Sequence, residues 1–186
     1  MAVNCLIYWG SSALTAGRYH YDFTMAFDRE VPLLPVFVWF YILAFPFWAV
    51  GYLLATRRGK DMFYRFVATD LTIHFICFIC FILIPTTNIR PEIPGNTLSE
   101  KILALVYSLD GGNSPSNLFP SIHCYVSWMC WKGVEGSEKV PKWYQRFSLV
   151  FAILIIISTQ VLKQHYIVDA LSLIHISEPT RLQLIS

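Results

Sequence analysis

Phe147 to Asp169 reads FSLVFAILIIISTQVLKQHYIVD. Residues 147–162 carry no charge and are rich in Ile and Val. A helix rises about 1.5 Å per residue, so this run covers most of a hydrocarbon core about 30 Å thick. Lys163, His165 and Asp169 follow directly. An ionisable group costs about 2.5–3.5 kcal/mol at the centre of a membrane helix and less near its end. Such groups face a cavity or one another. The stretch therefore predicts a membrane span, 147–162, with a polar cluster at its end.

Four apolar blocks precede it. Met1 to Ala16 is short and lacks the basic start of a signal peptide, so it reads as a short first helix. Val36 to Ala55 predicts the second helix, with Pro46 inside it kinking more than ending it. Phe66 to Ile84 predicts the third, and Pro120 opens a fourth that reaches about Trp131. Leu98 to Leu109 reads as a short surface helix, and the stretches around Pro85–Pro94 and Asp110–Phe119 read as irregular. Over the 186 residues, 55% are hydrophobic and 14% charged, with mean hydropathy +0.50. A soluble domain needs more polar surface than that. The expected fold class is all-α, a polytopic membrane helical bundle with five spans present of six.

Charge sets the orientation. Arg57, Arg58, Lys60 and Arg65 follow the second helix, and Lys132, Lys139, Lys142 and Arg146 follow the fourth. The opposite loops hold fewer cations: Arg18 and Arg29, then Arg90 and Lys101. The positive-inside rule places the richer loops in the cytoplasm and the end of the fifth helix on the other face. A net charge of +2 gives no case for nucleic-acid binding. Of the five cysteines, Cys77 and Cys80 lie one turn apart in an apolar block, with no second pair at ligand spacing. They read as small hydrophobes rather than metal ligands. LSLIHISEPTR, Leu171 to Arg181, resembles a translated sequencing adapter and interrupts what should be a last span. Residues 1–170 are therefore taken as one membrane-embedded domain. Residues 171–186 are taken as an assembly scar that displaces a sixth helix, and His175 is no site candidate.

Three polar clusters could do chemistry. Arg90-Pro91 offers a guanidinium matched to phosphate oxygens. In Pro120-Ser121-Ile122-His123, proline suits the first helical position, and the helix N-terminus offers Ser121 and free amides to an anion. His165 and Asp169 are four apart, so on a helix they share a face, and the carboxylate fixes the imidazole tautomer. Each cluster alone also fits ordinary residues at a membrane–water boundary.

Together, in this order, the clusters resemble the type 2 phosphatidic acid phosphatase superfamily of membrane lipid phosphatases. Its motifs are Lys-x6-Arg-Pro, Pro-Ser-x-His, and Ser-Arg-x5-His-x3-Asp. Arg90-Pro91 fits the end of the first. Pro120-Ser121-Ile122-His123 fits the second, and Ser158, His165 and Asp169 fit the third. Leu83 stands at the motif lysine and Thr159 at the motif arginine. The Lys163-Gln164-His165-Tyr166 run and the Asp28–Pro35 lead-in look more like the branch that includes inositol phosphorylceramide synthases. The resemblance implies that His165 attacks phosphorus, that Asp169 orients it, and that His123 serves as acid and base. Arg90, Ser121 and Lys163 would hold the phosphoryl oxygens of a lipid phosphate, with no metal and no other cofactor. Three rivals stay open: a head-group transferase of the same fold, a non-catalytic relative, and a transporter or proton relay through His74, His123, His165 and Asp169.

Overall fold

The computed structural model describes residues 2–112 and 115–171. The expected scar and the sixth helix it displaces lie outside the described residues, apart from Leu171. The chain is all-α: α1 (Ala2–Thr15), α2 (Ala26–Glu30), α3 (Val38–Thr56), α4 (Lys60–Leu83), α5 (Leu98–Leu109), α6 (Ile122–Val134) and α7 (Lys142–Val161). A 3-10 turn at Pro35–Phe37 leads into α3, and residues 167–171 are again helical. A two-residue parallel pair joins β1 (Tyr21–Asp22) to β2 (Thr86–Thr87), the second of which lies in a stretch expected to be irregular.

Several boundaries differ from the sequence reading. The third helix starts at Lys60, not Phe66, and the fifth at Lys142, not Phe147. In both, the charged lead-in is helical. Gly59, at φ 112°, ends the turn before α4, and Pro141 precedes α7. Long basic side chains at a span's end keep their charges in water while the backbone stays hydrogen-bonded. Helix α3 runs unbroken through Pro46.

Among the described residues, three helical stretches are long and apolar enough to cross a bilayer: Pro35–Thr56, Lys60–Leu83 and Lys142–Val161. At about 1.5 Å per residue, α1 reaches about 21 Å with its 14 residues and α6 about 20 Å with its 13. Both are short for a span, as their apolar blocks are in the sequence, so among the described residues length supports three of the five expected spans. For α6 the reason is local, because the chain before Ile122 is spent on an extended loop that builds the site.

The core is mainly apolar, with hydroxyl groups buried between the helices and large apolar side chains on the outer faces. Leu53, Phe75 and Val150 are exposed on the outer faces, while Ser127, Ser148, Ser158 and Thr159 are fully buried. Small and hydroxyl residues let membrane helices approach closely. Helix α6 lies between α3 and α7, its main neighbours. A Cβ on Gly51 would sit 2.6 Å from Cys130 Sγ, and one on Gly133 2.6 Å from the Phe66 ring. Phe66 is fully buried and has nowhere to retreat. Gly133→Ala should therefore destabilise the bundle by about 1–3 kcal/mol. Thermal unfolding in detergent reads this directly. Gly10→Ala, with nothing within 4 Å, is the matched control and should leave the midpoint unchanged or raised.

Candidate active site

The site forms where α7 ends. Lys163 adopts φ 53° and turns the chain, and the amides of Gln164 and His165 both donate to Thr159 O, at 2.9 and 3.1 Å. Helical residues 167–171 follow, with the Asp169 carboxylate capping Tyr166 N at 2.9 Å. His165 and Asp169 thus meet across a capped turn, not along one helix face as their spacing suggested. The left-handed residue at Lys163 stops α7 before it reaches either of them.

His165 Nδ1 lies 3.1 Å from Asp169 Oδ2 and 2.9 Å from Leu118 O. Both neighbours are acceptors, so the ring proton belongs on Nδ1 and Nε2 keeps its lone pair. Asp169 is buried, and burial pushes its carboxyl above the usual range while the His165 hydrogen bond pulls it back.

The loop 115–121 carries Leu118 to His165. Asn117, at φ 60°, donates to Tyr8 O and Ser11 Oγ of α1. The amides of Leu118 and Phe119 both donate to Thr86 Oγ1. The Phe119–Pro120 peptide is cis, and α6 starts at Ile122 with Ser121 as its cap, accepting from Cys124 N at 3.3 Å. Pro120 is therefore not the first helical residue expected. An extended Ser121 caps better than a helical one, since its hydroxyl can then reach back to the first-turn amides. His123 stacks on Tyr41 at 4.3 Å, beside Trp48 and Phe45, and its ring centroid lies 6.1 Å from that of His165.

Arg90 is buried with its terminal nitrogens committed. Nη1 donates to Asp110 O and Gly112 O, and Nη2 to the Asp110 carboxylate and Gln164 Oε1. The guanidinium also lies 4.6 Å from the centre of the Tyr107 ring. Lys163 Nζ donates to Asp28 O and Val31 O. Burial lowers the Lys163 ammonium, with Asp28 opposing.

His165 forms part of the wall of two cavities. One, about 330 Å³, is lined mainly by polar residues, among them Asp28, Asn88, Arg90, Gln160 and Lys163. The other, about 270 Å³, is mainly apolar and includes Tyr41, Phe45, Trp48, Asp110 and His123. Buried polar atoms without a hydrogen-bond partner gather here, on Asn88, Arg90, Asn117, His123, Gln160 and Gln164. Such atoms are rare in folded proteins and mark places where a ligand or solvent completes the bonding.

Five of the six expected site residues thus surround His165's two cavities or bond to His165 itself: His123, His165, Asp169, Arg90 and Lys163. Ser121 lines neither cavity, its hydroxyl being the α6 cap. His74 also lines neither, and pairs with Asp70 and Asn4 within the bundle. Leu83 is exposed, and Thr159 is buried with its hydroxyl on Ile156 O. Asp28 and Asp110 escaped the sequence reading. Asp28 was quoted only as the start of the Asp28–Pro35 lead-in and Asp110 only as the start of a loop, and the partners of both are distant in sequence. Residues 19–174 match the family model described as the PAP2 superfamily. No curated protein and no solved structure matches the chain.

Proposed function

Because the chain belongs to the PAP2 superfamily, whose chemistry is that of phosphatases and phosphotransferases, we propose that it is an integral membrane phosphatase that hydrolyses lipid phosphate esters through a phosphohistidine. The observation that carries this is His165, with Nδ1 held by Asp169 and Leu118 and its ring between a polar and an apolar cavity. The substrate's phosphate occupies the polar cavity and its tails the apolar one.

His165 Nε2 attacks phosphorus as the ester P–O bond breaks. His123, on the apolar side, gives the departing lipid oxygen its proton. Asp169 stabilises the charged imidazole. Lys163, Arg90 and the α6 N-terminus at Ser121 set positive potential around the phosphoryl oxygens. His123 then takes a proton from water, which displaces phosphate from His165 and restores the enzyme. No step calls for a metal. The charge asymmetry of the loops favours a site on the non-cytoplasmic face.

A head-group transferase is the second reading. Asn88 Nδ2 is spent on Lys163 O and Gln160 Nε2 on Tyr166 O, which leaves Asn88 Oδ1 and Gln160 Oε1 as unpaired acceptors beside the polar cavity. An alcohol acceptor would supply the hydroxyl donors they lack. The deciding assay measures phosphate release from phosphatidic acid by purified protein in detergent with a chelator, with and without a polyol acceptor. Chelator-resistant release without acceptor supports the phosphatase. Product that forms only with polyol and a head-group donor lipid would replace it with the transferase.

A further inference from the structure

We propose that Asp28 is a positioning residue for His165, the anchor of a strap that holds the turn 161–169 in its working shape; the kinetic part of this proposal rests on the phosphohistidine reading above. Asp28 lies in the short helix α2, far in sequence from the turn. Its Oδ2 accepts from Met25 N at 2.9 Å, which is the ordinary capping of its own helix. Its Oδ1 instead crosses to accept from Ile167 N at 2.7 Å. The strap has two more limbs. Lys163 Nζ donates to the carbonyls of Asp28 and Val31, and Leu34 N donates to Val161 O at 3.0 Å. The segment 28–34 thus grips the chain on both sides of His165.

The chemistry of the grip makes Asp28 more than a fastening. Two carboxylates share the amides at the start of helical residues 167–171. Asp169 takes Tyr166 N, and Asp28 takes Ile167 N. Asp169 Oδ2 is already divided between Tyr166 N and His165 Nδ1. Without Asp28, the Ile167 amide loses its acceptor in a partly buried site. The Asp28–Ile167 bond fixes the turn that carries Asp169 to His165 Nδ1, whose protonation decides whether Nε2 is free to attack. Asn cannot replace Asp28, because one of the two amides would then face an NH2 group.

The test uses Asp28→Asn and Ile167→Pro in the full chain. Ile167→Pro deletes the donor and leaves Asp28 untouched. Position 167 is the first of its helical stretch, where proline is tolerated. The first readout is the 15N spectrum of the His165 imidazole in detergent, which distinguishes the tautomers. The wild type should show one form, protonated on Nδ1, and both variants a mixture. The second readout is phosphate release, with kcat expected to fall about 10-fold or more and KM to stay within about 2-fold. A merely structural contact would lower the unfolding midpoint but leave the tautomer of the folded fraction alone. An unchanged His165 spectrum in either folded variant overturns the proposal, as does loss of fold in both. A wild type that turns over no phosphoester would sink the phosphatase reading alone, since the spectrum still decides the role of Asp28.

Discussion

His165→Ala should leave a folded, membrane-inserted protein whose phosphoryl turnover has fallen by about 10⁴-fold or more. Among the described residues the ring bonds to Leu118 O and Asp169 alone, so its removal costs the bundle little packing. It does remove an imidazole whose tautomer the surroundings dictate. Retained turnover would pass the nucleophile's role elsewhere and end the assignment. Trapping supplies an independent arm. The wild type quenched during turnover of a phosphorus-labelled substrate should carry acid-labile label on His165, and the alanine variant should carry none. Label that persists at His123 would invert the proposed roles.

The apolar blocks made the helices legible because hydrocarbon leaves the backbone one way to satisfy itself within a span. Composition alone therefore located α3, α4 and α7. It misjudged where they begin, because Lys60–Arg65 and Lys142–Arg146 look like loop by charge yet are helical at the membrane boundary. It also placed the start of α6 too early, since the residues before Ile122 serve the loop around Leu118. The catalytic candidates were legible from motif order, but their setting was not. Spacing gave His165 and Asp169 a shared helix face, and the structure gives them a turn set by a left-handed Lys163. The Arg-Pro pair marked Arg90 without revealing that Asp110 already holds its guanidinium. The contact of Asp28 with Ile167 bridges most of the chain and exists only once the turn closes. No local pattern encodes such a contact.

His123 offers the second large effect and a sharper sign. As general acid it should matter in proportion to how poorly the leaving oxygen departs by itself. His123→Ala should lower turnover of an alkyl lipid phosphate by about 10²–10⁴-fold. With an aryl phosphate whose leaving phenolate is already stable, the loss should shrink to about 10-fold or less, because little proton transfer is needed in that transition state. The ring also stacks on Tyr41 and packs beside Trp48 and Phe45, so a purely structural role is a real rival. The two roles separate cleanly. Damage to the wall of the apolar cavity would weaken both substrates through a common distortion of the site. Loss of a proton donor spares the activated one. Equal losses on both substrates would therefore remove His123 from the chemistry and leave it as packing, whereas a loss graded by leaving group places its Nε2, which has no hydrogen-bond partner among the described residues, at the departing oxygen.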